Sequence, residues 1–176
     1  MNPDKFKKLI QVWPDFPKNG VMFRDISPLF RDSEALIFVP RVLCESLKNV
    51  KFDVVVGIES RGFVVVSLIA MQLKKGLVLI RKAGKLPGPT ISQSYEVEYG
   101  LAEMEVQKGS ILPGQKVVIA DDVIASGGTA IAAAKLVEGL GGVIVGFVFL
   151  INLKNLGGAS KLTDKGFKVD HIFEYE

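Results

Sequence analysis

Short β-branched runs alternate along the chain with longer stretches of helical periodicity. Strands are predicted over residues 53–58, 77–81, 116–121, 143–152 and 167–173. Three of these contain uninterrupted apolar triplets: Val54-Val55-Val56, Val117-Val118-Ile119 and Val143-Ile144-Val145. Continuous apolar runs suit strands covered on both faces, the situation of a parallel sheet. Helices are predicted over 33–49, 61–74 and 129–140, the last stopped by Gly139, Gly141 and Gly142. Strand–helix–strand repetition at this spacing predicts βαβ units, an α/β sheet and right-handed crossovers. The longest apolar runs, 63–71 and 143–151, are too short for the roughly 18–20 residues that span a bilayer. They read as an inner helix and a fully buried strand.

Two stretches break the rhythm. Residues 13–28 carry Pro14, Pro17, Gly20 and Pro28 and read as an extended N-terminal segment. Residues 82–100 carry Gly84, Pro87, Gly88 and Pro89, then alternate through Ile91, Tyr95, Val97 and Tyr99. This pattern predicts a long loop closing into a β-hairpin with 101–106, and a loop of that length inside one domain is usually functional.

Composition narrows the class without naming a chemistry. The 176 residues are one domain's worth, 48% hydrophobic and 23% charged. Twenty-two Lys and Arg against 19 Asp and Glu give a net charge of +3, too slight to argue for nucleic acid or a membrane surface. A single cysteine, Cys44, and a single histidine, His171, leave no disulfide framework and no Cys/His zinc site. The first eleven residues interleave lysines with apolar residues and do not resemble a targeting segment. A soluble, intracellular globule is expected.

The chemistry concentrates in residues 117–129. A buried strand ends in Asp121 and Asp122, followed by Val123, Ile124 and the small-residue turn Ala125-Ser126-Gly127-Gly128-Thr129 that opens a helix. Such a turn offers backbone N–H groups, two hydroxyls and the positive end of a helix to an anion. The adjacent carboxylates cannot serve the same anion; they suit the hydroxyls of a polyol or a cationic transition state. One ligand with a phosphate at one end and a ribose-like diol beside it satisfies both. Neither a Walker lysine motif nor Gly-x-Gly-x-x-Gly is present. Residues 57–62 likewise follow a strand and open a helix, where amides and Arg61 can hold an anion or simply cap a surface helix. Arg81, Lys82 and Lys85 form a basic cluster that composition alone reads as a solvated face. Phe23 fits a core plug as well as a stacking platform for a flat heterocycle.

Residues 121–129 resemble the phosphoribosyl-pyrophosphate (PRPP) motif of the type I phosphoribosyltransferases. The resemblance runs through Phe16-Pro17, 20–28, 57–63, 80–90, Tyr95, Glu98-Tyr99-Gly100 and Tyr175-Glu176, in the order found in the members that act on adenine. It implies an α/β fold of the type I phosphoribosyltransferase kind: a central, mostly parallel sheet flanked by helices. The whole chain, 1–176, would form one domain with a small hood over 1–30 and a flexible loop and hairpin over 82–106. It implies transfer of the 5-phosphoribosyl group from PRPP to adenine, giving AMP and pyrophosphate. Mg²⁺ would be held mainly through PRPP, pyrophosphate and waters, and the enzyme would be a cytoplasmic homodimer.

By the same resemblance, Ala125, Ser126, Gly127, Gly128 and Thr129 anchor the 5′-phosphate, and Asp121 and Asp122 hold the ribose. Glu59, Ser60, Arg61, Arg81, Lys82 and Lys85 belong to the pyrophosphate region, with a cis peptide expected between Glu59 and Ser60. Adenine would lie between Phe23 and Val123, bonded by backbone groups near Met22 and Arg24. Glu98, with Tyr99 beside it, would be the catalytic acid near the base. Glu59 stands where relatives often carry Asp, and Ser126 where Thr is common. A phosphoribosyltransferase for another nucleobase, or a PRPP-binding regulator without catalysis, remains the alternative. Glu96, Glu103 and Glu105 alternate on the hairpin and read as exposed strand carboxylates. Cys44 reads as a core residue and His171 as structural.

Overall fold

A computed structural model describes residues 3–97 and 100–176. In chain order the elements are α1 (Pro3–Lys7), β1 (Gln11–Trp13), β2 (Phe23–Asp25), α2 (Ser27–Arg31), α3 (Ser33–Ser46), β3 (Val54–Ile58), α4 (Gly62–Leu73) and β4 (Gly76–Lys82). They continue with β5 (Thr90–Val97), β6 (Gly100–Gln107), β7 (Lys116–Ile124), α5 (Gly128–Gly139), β8 (Val143–Leu153), α6 (Gly158–Thr163) and β9 (Val169–Tyr175). A 3₁₀ turn over Lys154–Leu156 links β8 to α6.

Seven strands form one sheet in the order β5-β6-β4-β3-β7-β8-β9. The pairs β3/β4, β3/β7, β7/β8 and β8/β9 are parallel. Only the β5–β6 hairpin, which joins β4 at one side, is antiparallel. The apolar triplets are continuous because both faces of the central strands are covered. On β3 and β7, Val55, Val118 and Ala120 point into a core shared with α3 and α4. Val54, Val56, Val117 and Ile119 point into a second core, shared with α5 and α6. This is the period-two alternation of a strand, expressed entirely in apolar residues. The register of β7 on β8 shifts between Val117 and Val118, which adds a local bulge before the functional end of the strand.

Helix α3 starts where the Asp32 carboxylate accepts the Ala35 N–H at 2.9 Å. It stops at Ser46, short of the predicted 49. Two sequence expectations need correction. Helix α4 is not wholly internal: Val64 and Met71 are exposed, because only one side of it faces the sheet and α3. Strand β8 is buried from Gly146 to Asn152, but Val143, at its start, is exposed. Among the described residues no helix is long and apolar enough to cross a membrane.

The N-terminal segment is more ordered than its prolines suggest. Strands β1 and β2 pair antiparallel, Gln11 opposite Asp25 and Trp13 opposite Phe23, as a separate two-stranded sheet. Helix α1, helix α2 and helix α6 were not anticipated; each is six residues or shorter and carries too little periodicity to register.

Ile119, fully buried in β7, packs in the core shared with α5 and α6. Ile119→Ala is expected to lower unfolding free energy by about 2–5 kcal/mol, read from urea denaturation midpoints.

Candidate active site

The carboxyl ends of β3, β4 and β7 open on one edge of the sheet, where open α/β sheets bind their ligands. β7 delivers Asp121 and Asp122 there, 9% and 7% exposed. Asp121 Oδ1 accepts the N–H of Asp122 at 2.9 Å. Burial, reinforced by the neighbouring Asp122 charge, pushes the Asp121 carboxyl well above the usual range; Arg61 opposes that shift. Space for the pair comes from Gly62, where a Cβ would fall 2.4 Å from Asp121 Oδ1.

Beyond Ile124 the chain turns through Ala125–Gly127 into α5. Gly127 takes a left-handed φ of +88° and faces Gly158 across the turn. Residues 123–130, with Asp121 and Phe149, line a cavity of about 80 Å³ at the start of α5. Backbone amides, the Ser126 and Thr129 hydroxyls and the helix end therefore border one small enclosure suited to an anion. A larger hollow of about 430 Å³ on α3, lined by Phe38, Arg41, Val42, Glu45 and Ser46, shares no residue with this site.

Arg61 closes the second side. Its Nε lies 2.7 Å from Asp122 Oδ2, its Nη1 donates to the Arg24 carbonyl at 3.1 Å, and its guanidinium sits 4.9 Å from the Phe23 ring centroid. Strand β2 is thereby tied to the acid pair. Phe23 also meets Phe16 edge-on at 5.1 Å. The third side is basic. The peptide between Glu59 and Ser60 is cis. The Glu59 carboxylate, 8% exposed, receives Arg81 Nε at 3.2 Å, Lys85 Nζ at 2.6 Å and the Lys82 N–H at 3.0 Å. Burial favours its neutral form, but the Lys85 ammonium, the Lys82 amide and Arg81 together bring its pKa below the ordinary carboxylate value.

A phosphoribosyl transferase domain model matches residues 40–174 of the chain. The adenine phosphoribosyltransferase of Chlorobium phaeovibrioides is 48% identical over 172 residues, 97% of each chain. The chain belongs to the adenine phosphoribosyltransferase family. Solved structures of that family superpose closely. The enzyme from Thermoanaerobacter pseudethanolicus gives a TM-score of 0.95 at 41% identity, covering 99% of this chain and 100% of its own. The Saccharomyces cerevisiae enzyme, complexed with an imino-altritol bisphosphate and adenine, gives 0.87 at 40% identity, covering 97% of both chains. As a member of this family the chain is a glycosyltransferase that transfers a pentosyl group.

Set in this family's fold, the residues singled out in the sequence fall into one region, with three qualifications. Glu98 and Tyr99 lie outside the described residues. Glu59 does not stand open to an anion: its carboxylate contacts the side chains of Arg81 and Lys85. The Arg24 carbonyl accepts from Arg61, and the Met22 carbonyl accepts from Arg24 Nη1 at 3.3 Å.

Other groups gave no sequence signal. Lys161 of α6 donates to the Ser126 carbonyl at 3.0 Å, and the Gly158 N–H donates to the Ala125 carbonyl at 2.9 Å. These two bonds buttress the turn from a segment more than thirty residues away. Tyr95 of β5 is half-buried; burial, then the charge of Asp121, pushes its hydroxyl pKa up. The Glu96 carbonyl lies beside Gly128, so the hairpin leans on the start of α5. The expectation for Glu105 was wrong: it is 7% exposed, covered by the 84–90 loop. Glu96 and Glu103 are exposed as expected. Cys44 is buried, which pushes its thiol up to about 11, and His171 of β9 sits 3.5 Å from Glu174. Among the described residues no three His, Cys, Asp or Glu side chains cluster to hold a metal. Mg²⁺ characteristically keeps several waters and takes substrate phosphate oxygens as ligands, and the two strand-end carboxyl groups suit such metal-bound waters better than direct ligation, because Asp122 is already paired with Arg61.

Gly62→Ala is expected to drive a methyl into Asp121, lowering stability by about 1–3 kcal/mol by urea denaturation, with turnover falling as the acid pair is displaced. Glu59 gives a pH signature. Its folded-state pKa is lowered, so its stabilisation is complete above the unfolded carboxyl value and is lost as pH falls through the lowered one. The stability difference between wild type and Glu59→Gln should be flat above about pH 6 and shrink toward about pH 3. Urea midpoints across that range check it.

Proposed function

We propose that the chain transfers the 5-phosphoribosyl group of PRPP to adenine, releasing AMP and pyrophosphate in purine salvage. The observation that carries this reading is the juxtaposition at one sheet edge of a buried acid pair, an anion-binding turn and a facing set of cations. A phosphorylated sugar bearing a diol and a pyrophosphate presents the complementary charges in that order.

In this reading the amides and hydroxyls of 125–129 take the 5′-phosphate, and Asp121 and Asp122 take the ribose hydroxyls. Arg61, Arg81, Lys82 and Lys85, with the 59–60 turn, face the pyrophosphate; Glu59 holds the cations until it arrives. Adenine stacks against Phe23 near Val123, with backbone groups at Met22 and Arg24 reading its edge. The bond from C1′ to the pyrophosphate oxygen breaks and the electron pair leaves with pyrophosphate. A bond from C1′ to an adenine ring nitrogen forms, and that nitrogen gives up its proton to the Glu98 carboxylate or to water. Positive charge develops on the ribose between these events, beside the carboxyl pair that holds its hydroxyls. Mg²⁺, which would be held mainly through the phosphate oxygens of PRPP and through waters near Asp121 and Asp122, would supply neutralisation of the leaving group. Glu98, beside Tyr99, is the group assigned to acid–base assistance at the base. The hairpin and loop exclude water from the activated sugar. The family resemblance further supports a cytoplasmic homodimer, which sizing by light scattering tests.

Adenine-dependent release of pyrophosphate from PRPP is expected, requiring Mg²⁺, with AMP as the coupled product. Faster turnover of guanine, hypoxanthine or orotate, or PRPP binding with no AMP formed, would overturn the assignment. Glu98→Gln is expected to cut kcat strongly while leaving PRPP affinity largely intact.

A further inference from the structure

Glu105 accepts three hydrogen bonds from residues 85–90, and the reaction as described gives it no part. It stands on β6, opposite Arg81 of β4 and Ser92 of β5. One of its oxygens, Oε1, accepts the N–H of Lys85 at 2.9 Å and the N–H of Leu86 at 3.0 Å. The other, Oε2, accepts the Thr90 hydroxyl at 3.2 Å. The Leu86 amide foremost, with those of Lys85 and Gly84 and the Thr90 hydroxyl, holds the Glu105 pKa below the usual carboxylate value, so the side chain is charged at neutral pH.

Two carboxylates thus grip one loop, and they grip different parts of it. Glu59 holds the Lys85 ammonium and the Arg81 guanidinium, side chains that a stronger anion can draw away. Glu105 holds backbone amides, which carry no charge for a ligand to compete over. The Lys85 carbonyl in turn accepts Arg81 Nη1 at 3.1 Å. Lys85 is therefore fixed at its amide by Glu105, at its carbonyl by Arg81 and at its ammonium by Glu59. When the ammonium exchanges Glu59 for a ligand, the bonds to Glu105 still fix where its stem begins. A loop ordered in advance loses less conformational freedom on binding.

We propose that Glu105 is a positioning residue that presents Lys85, and through its carbonyl Arg81, to the pyrophosphate of PRPP. This rests on the pyrophosphate role given to those two cations above. Glu105 touches neither substrate nor reacting atoms; it acts through the loop backbone. A purely structural role would instead weaken the fold, or both substrates, without distinction.

The test uses the full chain with Glu105→Gln, whose amide group cannot accept from three donors in the same way. Its KM for PRPP should rise about tenfold, the scale of one lost charge-assisted hydrogen bond, with the adenine KM within about twofold of wild type. Trypsin should cut the Lys85–Leu86 bond faster in the variant, since that bond lies in the segment Glu105 pins. A folded Glu105→Gln with an unchanged PRPP KM, or with both KM values raised equally, overturns the proposal. If that variant does not fold, Thr90→Val removes only one partner. It should shift PRPP KM and cleavage in the same direction by less, and no shift in either counts against the proposal. Lys85→Ala separates the two levels. A raised PRPP KM there with a normal Glu105→Gln defeats the positioning role alone. An unchanged PRPP KM in Lys85→Ala defeats the pyrophosphate assignment and the proposal with it.

Discussion

Two adjacent carboxylates at the end of a buried strand are the constraint around which this molecule is arranged. Like charges in a poorly hydrated place are unfavourable, and the surroundings answer both problems. Burial and mutual repulsion favour the protonated form of Asp121, while Arg61 gives Asp122 a partner at 2.7 Å. Arg61 can reach it because the β3–α4 turn is directly beside β7 in the parallel sheet, and because Gly62 leaves the room that a side chain would take. The placement of β2 follows from the same contact. Arg61 also takes the Arg24 carbonyl and packs on Phe23, so the strand assigned to the base is positioned by the arginine that neutralises the acid pair.

The second arrangement is a division of charge. A net charge of +3 is nearly featureless, yet acids converge at the end of β7 while cations converge beyond β3 and β4. A ligand with hydroxyls at one part and a pyrophosphate at another experiences both fields at once. Within the basic half the cations do not stand free. Glu59 keeps them together, and its negative charge offsets part of the positive field they present.

Much of this was legible in the sequence because its signals are local. A strand covered on both faces has to be apolar throughout, so β3, β7 and β8 were apparent from composition over a few residues. The 121–129 segment was legible because strand, acids, turn and helix start are contiguous. Glu105 was misread for the converse reason. Alternation along β6 places Glu103 and Glu105 on one face, and Glu103 is indeed exposed; only the return of the 84–90 loop over that face buries Glu105. Lys161 and Gly158 escaped notice because the turn they buttress is distant in the chain and close only in the fold.

The amino-acid sequence by itself determined the α/β layering, the parallel centre of the sheet and the position of the small-residue turn that opens α5. Each depends on periodicity, turn chemistry or a motif that the chain carries over a short span. The tertiary structure alone decided which charges meet: Arg61 with Asp122, Glu59 with Arg81 and Lys85, Glu105 with the loop backbone. Those pairings join residues from separate strands and loops, and electrostatic energy depends on distance in space, which spacing along a chain does not encode.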